Sequence, residues 1–106
     1  MTVSQLAKQS GFTPVYIADD REIGGIYCCD LLSMVMGKAS PDDAWFTIMA
    51  NVNTIAVAVL TDVAVVIVCE GITLDDDALQ KAKEQGVNIL YSALPIFESA
   101  VKTPLK

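Results

Sequence analysis

The chain has no histidine and little positive charge, and each absence argues against a class of function. Its 106 residues contain 7 Lys and Arg against 13 Asp and Glu, a net charge of -6 at pH 7. Nucleic acids and anionic membranes are bound through basic surfaces, which seven scattered cations do not supply. Histidine is also the commonest general base and metal ligand. We therefore expect no nucleic acid, no membrane, no metal and no other cofactor among the partners.

Cysteine is scarce and carries no metal-binding pattern. The three cysteines form no Cys-x-x-Cys motif, and an odd number fits a reducing compartment better than a disulfide framework. Cys28 and Cys29 are adjacent, so on a strand their side chains point to opposite faces and cannot chelate one metal. We interpret the cysteines as small buried apolar residues, with a redox role for the pair as the weaker alternative.

Membrane-length apolar segments are missing as well. The longest apolar stretch, 55–69, is interrupted by Thr61 and Asp62, and it falls short of the roughly 20 residues that a spanning helix needs. The chain does not open with a basic segment followed by an apolar one, the pattern of a signal peptide. The predicted location is the cytoplasm.

Three apolar runs of strand length dominate the second half of the chain. They cover 44–49, 63–69 and 87–91, and each is followed by a polar corner and a helix-compatible segment. Strands separated by helices pair in parallel, so their corners gather at the carboxyl edge of the sheet, where open sheets hold ligands. The predicted fold class is α/β, a single small domain over 1–106 with a mostly parallel central sheet of about five strands flanked by helices.

The first half predicts two further strands, at 13–18 and 25–29, after an N-terminal helix within residues 1–12 that is peripheral to the rest. Pro14 confines the first strand to an edge or makes the strand begin there. The charged segment between the strands is interpreted as a hairpin loop in which Gly24 and Gly25 adopt positive φ. An alternative interpretation makes Arg21 of this segment an anion clamp.

Helix boundaries follow from capping residues. Asp30 is predicted to cap a helix over 31–36 that Gly37 ends. The segment 54–60 alternates like a strand and is rich in β-branched residues. A parallel connection between its neighbouring strands nevertheless requires a crossover, so we predict a helix there.

The next helix shows its boundaries more clearly. Thr73-Leu74-Asp75-Asp76 is similar to a capping box, and Gly86 is the predicted end.

The second half of the chain resembles the DRTGG domain. The matching residues are Cys69-Glu70-Gly71-Ile72, a helix with Leu79 and Ala82, Gly86 to Ser92, and Phe97-Glu98-Ser99-Ala100. This α/β module occurs in phosphotransacetylases, in CBS-domain pyrophosphatases and as short bacterial proteins. The resemblance covers about 45–101, although Val52-Asn53 replaces the family's Asp-Arg pair and Cys69-Glu70-Gly71 its Thr-Gly-Gly. It implies a regulatory or oligomerising module without catalysis of its own.

The candidate ligand site comprises the polar residues of the three corners. A helix start offers free N–H groups and a dipole that can hold a phosphate or carboxylate, and Glu70 could accept a hydrogen bond from a ribose or amine. The alternatives are that the Asn and Thr residues only cap a helix and that Glu70 is a solvated turn residue. The candidate residues are Asn51, Asn53, Thr54, Glu70, Gly71 and Ser92.

Three functional hypotheses result. The first is a non-catalytic regulatory or oligomerisation module that forms a homodimer and binds a small ligand, a nucleotide or other anion. The second is a docking domain for a separately encoded kinase or metabolic enzyme. The third is a small transferase with Cys69 as nucleophile, which is disfavoured because no histidine is present as base and nearby carboxylates raise a thiol pKa. The expectation is therefore a protein that is not an enzyme.

Overall fold

A computed structural model of the protein describes residues 1–104, which form a five-stranded sheet between two layers of helices. The elements in chain order are α1 (Val3–Ala7), β1 (Phe12–Tyr16), β2 (Gly25–Cys28), α2 (Leu32–Lys38), β3 (Asp43–Thr47), α3 (Val52–Thr61), β4 (Val65–Val68), α4 (Asp76–Gln85), β5 (Ile89–Ser92) and α5 (Ile96–Val101). Within this range no helix is long and apolar enough to cross a membrane.

The strand order is β1-β5-β4-β3-β2. Strands β2 to β5 pair in parallel, with Phe46 opposite Ile67 and Ile67 opposite Leu90, while β1 is antiparallel to β5. The predicted mostly parallel sheet is confirmed, and Pro14 lies on an edge strand as expected.

The predicted hairpin between β1 and β2 is wrong, because these strands form opposite edges of the sheet. The connection therefore crosses the whole sheet, and Ile23 in it is buried. Gly24 and Gly25 are not among the residues with positive φ. A short polar segment between two strands looks the same in the sequence whether or not the strands pair, so the local pattern does not distinguish a hairpin from a longer connection.

Side chains alternate between the two faces of the sheet and form two cores. Trp45, Val66 and Ile89 pack toward α2, α3 and α4. Phe46 and Ile67 face the opposite side, together with residues of α1 and α5. Strand β4 is buried at all four positions, which explains its continuous apolar run.

Helix α1 belongs to the core and is not peripheral. Its Val3 and Leu6 have no exposed surface, and Thr2 and Gln5 form a capping box at its start. The short helix is therefore held by burial and capping together.

The ambiguous segment after β3 is the helix α3, as predicted. Its buried residues, Thr54, Ile55, Val57, Ala58 and Thr61, follow the 3.6-residue period along one side. Asn51 caps the start, and Asp62 ends the helix in the left-handed conformation, with φ 57°. Burial against the sheet thus outweighs the strand preference of the β-branched residues.

Three predicted boundaries differ from the structure. Leu31 occupies the N-cap position of α2 without a side-chain hydrogen bond, so Asp30 is not the cap, and Gly37 lies inside the helix. Helix α4 is capped by Asp75, whose carboxylate accepts from Ala78 N, so the predicted capping box that begins at Thr73 is wrong. The helix ends at Gly86 with φ 69°, as expected.

Candidate functional site

The corners that follow the parallel strands do meet at the carboxyl edge of the sheet, where hydrogen bonds connect them. Asp30 Oδ1, after β2, accepts from Thr47 Oγ1 at 2.7 Å and from Ile48 N at 2.9 Å, at the end of β3. Glu70 N, after β4, donates to Leu94 O at 3.0 Å, beyond β5. The role of Asp30 in joining two corners explains why it does not cap α2.

At the start of α3, some backbone N–H groups are hydrogen-bonded and others have no partner within the described residues. Asn51 Oδ1 accepts from Asn53 N at 2.9 Å and from Thr54 N at 3.3 Å, so Asn51 is the helix cap that its residue type indicates. The amides of Ala50, Asn51 and Val52 have no hydrogen-bond partner within residues 1–104. Asn53 is exposed beside them. Three consecutive donors at the positive end of a ten-residue helix are available to an anion.

Thr54 contains an unpaired hydroxyl. Its side chain is completely buried, and its Oγ1 is the one buried side-chain N or O atom among residues 1–104 that lacks a hydrogen-bond partner. Buried polar atoms in proteins are nearly always paired. The structure therefore leaves one predicted site residue with unused hydrogen-bonding capacity.

Glu70 and Gly71 form a tight left-handed turn, with φ 66° and 71°. Left-handed φ is uncommon for glutamate and marks a turn that the surrounding structure holds in place. The turn is fixed by its two amides, since Gly71 N also donates, to Ser92 O at 3.0 Å. Both residues are exposed, so the Glu70 carboxylate remains accessible.

Ser92 is buried in the interior. Its hydroxyl lies 2.7 Å from that of Ser99 and accepts from Leu94 N at 3.2 Å. The six predicted residues therefore divide into two groups. Asn51, Asn53, Glu70 and Gly71 reach the surface, while Thr54 and Ser92 lie below it.

Acidic residues surround this edge. Asp75 N lies 3.4 Å from Ala50 O, which places the first turn of α4, with Asp76 and Asp77, beside the start of α3. These carboxylates stabilise the N-terminus of α4 and oppose the approach of a highly charged anion.

Cys69 is held in the interior as a neutral thiol. Burial raises the pKa of Cys69 to about 11, an effect that a hydrogen bond with Ser99 opposes. A neutral thiol is a weak nucleophile. Only Cys69 is buried as predicted, since Cys28 is exposed and Cys29 is half-buried. No group of three or more Asp, Glu, His or Cys side chains within 1–104 is placed to hold a metal ion.

Arg21 is a structural residue in this fold. Its guanidinium forms ion pairs with Asp42 and Asp62, the latter at 2.9 Å, and donates to the carbonyl oxygens of Asp62 and Val63. These contacts occupy the five N–H groups of the guanidinium. Arg21 therefore has little hydrogen-bonding capacity left for the alternative role of anion clamp.

Sequence reasoning missed Asn88, which lies at the amino edge of the sheet. Its amide is 3% exposed and makes four hydrogen bonds, accepting from Ala18 N and Asp19 N and donating to Asp19 O and Ala64 O. A cavity of about 140 Å³ lies beside it. The sequence does contain a signal for this residue. Asn is depleted in strands, so an asparagine inside an apolar run of strand length indicates a special role.

A second depression is an apolar groove between α3 and α4, with a volume of about 250 Å³. Its six lining residues are Ile55, Ala56, Val59, Leu60, Lys81 and Gln85. Neither this groove nor the amino-edge cavity coincides with the predicted carboxyl-edge site.

Comparison with known proteins identifies a solved structure with a similar fold. No family model and no curated protein matches the chain. A similar solved structure is the CBS and DRTGG domains of the regulatory region of Clostridium perfringens pyrophosphatase, complexed with the activator diadenosine tetraphosphate. The TM-score is 0.78 at 14% identity, and the match covers 94% of this chain and 44% of the other. The chain has a DRTGG-like fold.

The DRTGG-like fold agrees with the resemblance drawn from residues 45–101. At 14% identity the likeness concerns the fold alone. The neighbour's chain is a regulatory region, and this chain spans less than half of its length.

Proposed function

We propose that the chain is a non-catalytic regulatory module that binds a small ligand, a nucleotide or other anion, at the carboxyl edge beside the start of α3. The observation that carries the proposal is the DRTGG-like fold, shared with a regulatory region whose activator is a nucleotide. The three unpaired amides at Ala50, Asn51 and Val52 provide the donors, and the Glu70 carboxylate provides an acceptor.

The side chains at this edge limit the chemical classes of ligand that would fit. Ile48, Val52 and Ile72 are large apolar side chains that are each more than a third exposed there. Together with the acids of α4, they favour a ligand that has an apolar or aromatic body and one anionic group at the helix start. A nucleoside monophosphate has this chemistry, whereas inorganic phosphate lacks the body.

The absence of catalysis is part of the proposal. Cys69 is the buried candidate nucleophile, and its raised pKa keeps it protonated near neutrality. The chain also contains no histidine to serve as a base.

The ligand proposal is tested with Asn53→Asp. Asn53 lies in the first turn of α3 and is exposed, so a new carboxylate there stabilises the helix through its dipole, by about 0.3–1 kcal/mol. The same charge repels an anion at the unpaired amides. We expect a thermal-shift and calorimetric screen with AMP, ATP, diadenosine tetraphosphate, adenosine and inorganic phosphate to show stabilisation by a nucleotide. Asn53→Asp should bind that nucleotide at least tenfold more weakly.

The matched control is Gln85→Glu, which adds the same charge at the last turn of α4, next to the amino edge. It should retain wild-type ligand affinity. A screen in which no nucleotide or anion raises the melting temperature would refute ligand binding, and equal weakening by both variants would place the ligand elsewhere.

We further propose that the chain self-associates and that it is cytoplasmic. Self-association is supported by the strong exposure of large apolar side chains, with Phe97 and Leu60 foremost. Sedimentation equilibrium over a range of concentrations tests it independently of any ligand. Docking onto a separately encoded enzyme would use the same kind of surface.

A further inference from the structure

Two surfaces of the chain combine exposed apolar side chains with charges of opposite sign. The three most exposed large apolar side chains are Phe97 at 73%, Leu60 at 69% and Val101 at 66%. Phe97 and Val101 lie four residues apart on α5, so they form one outward stripe, and Glu98 adjoins it. We call Phe97, Glu98 and Val101 the knob. Leu60 belongs to the groove between α3 and α4, which we call the groove.

The knob and the groove lie on opposite sides of the molecule. Helix α5 packs its Ile96 and Ala100 into the core that contains Phe46 and Ile67. Helices α3 and α4 cover the other face of the sheet. A knob therefore cannot reach the groove of its own chain, but it can reach that of a second copy.

The charges of the two surfaces are opposite and unpaired. Lys81 lines the groove and Glu98 adjoins the knob. In the described part of the chain, the salt bridges involve Arg21 and the terminal amine, so neither Lys81 nor Glu98 has a salt-bridge partner there. Along each helix the neighbouring opposite charges are Lys102, four residues after Glu98, and Asp77 and Glu84, four residues before and three after Lys81.

From these observations we infer that copies of this chain associate head to tail, with the knob of one copy in the groove of the next and Glu98 facing Lys81. The inference rests on the proposed self-association and does not depend on ligand binding. The contact joins two different surfaces, so it is heterologous and leaves a free knob and a free groove at the ends. Further copies can bind to these free surfaces, so assembly continues past the dimer. In a closed homodimer, by contrast, both copies use the same surface and assembly stops at two.

The test is a mixing experiment with two blocked variants, followed by sedimentation equilibrium. Ala56→Glu fills the groove and places a carboxylate where Glu98 would lie, and Phe97→Gln removes the main apolar contact of the knob. Both positions are exposed, so the fold is expected to tolerate the changes. Wild type should gain mass with concentration beyond a dimer, and each variant alone should remain monomeric. An equal mixture should form dimers and nothing larger, because each dimer has a blocked surface at both ends.

The contact between Glu98 and Lys81 is tested by exchanging the two charges. Lys81→Glu should weaken association at least tenfold, and adding Glu98→Lys in the same chain should restore it. Lys83→Glu is the matched control, since Lys83 lies on α4 outside the groove, and it should associate like wild type. Met34→Gln, an exposed apolar position on α2, is the control for Phe97→Gln.

Three outcomes would overturn the inference. Association of Phe97→Gln at wild-type strength would show a contact without the knob, and a mixture that stays monomeric would show that the two surfaces do not pair. A wild-type chain that is monomeric at every concentration would overturn the proposed self-association as well, while leaving the ligand proposal intact.

Discussion

At the scale of the residue, Cys69 shows how position decides chemistry. The thiol lies at the end of β4, where a parallel sheet often presents a functional group, but it is completely buried in the core on the α5 side. Burial disfavours the thiolate and raises the pKa of Cys69 to about 11. The residue therefore contributes to packing.

The raised pKa of Cys69 predicts a pH dependence of stability. In the unfolded chain the thiol ionises near pH 9, whereas in the native protein it stays protonated until about pH 11. Between these values the native state binds more protons, so its stability falls as the pH rises, by at most about 1.4 kcal/mol per pH unit. Urea denaturation of wild type and Cys69→Ala at pH 8 to 11 measures the effect. The wild-type free energy of unfolding should fall more steeply than that of the variant, and parallel curves would contradict the assignment.

At the scale of the element, the parallel strands and the helices between them follow from the sequence, and the β1–β2 connection does not. Burial on both faces makes the central strands continuous apolar runs, and the need for a crossover identifies α3 despite its valines. Which edge each of the first two strands occupies depends instead on distant contacts. Asn88 and Arg21 hold the connection, and no local pattern in residues 17–24 announces either partner.

The candidate site shows the same division. Asn51 and the Glu70-Gly71 turn lie at the carboxyl edge as the strand pattern predicted. The burial of Ser92 against Ser99 could not be predicted, because it depends on how α5 returns over the sheet.

Asn88 provides the test of the β1–β2 connection. Replacing it with alanine leaves Ala18 N, Asp19 N and Ala64 O without their side-chain partner. Ala64 is buried, and an unpaired buried group is costly, so we expect a loss of about 2–3 kcal/mol in the free energy of unfolding. Urea denaturation measures this loss. Asn53→Ala makes the same chemical change at an exposed position and should cost no more than about 1 kcal/mol. Similar losses in both variants would mean that the buried amide network contributes little.

At the scale of the whole molecule, the sheet consists of three central strands, β3, β4 and β5, and two edge strands, β1 and β2. Strand β4 lies in the middle with all four residues buried, and its neighbours β3 and β5 pair with it in parallel. The edge strands β1 and β2 come from the first third of the chain, and between them only Phe12 is buried, while their other residues are exposed or half-buried. Because local opening requires the loss of few buried contacts at an edge, the edges should open more readily than the centre.

Native-state hydrogen exchange followed by NMR tests this hierarchy. Amides of Val66 and Val68 should exchange only through global unfolding, with protection that equals the free energy of unfolding from denaturation. Amides of β2, such as Tyr27, should exchange through smaller openings and respond less to urea. Strand β1 is the informative case, because the Asn88 network anchors its end to β5. Asn88→Ala should therefore lower the protection of β1 amides more than that of β2 amides. Equal losses on both edges would show that the connection and the sheet unfold as one cooperative unit.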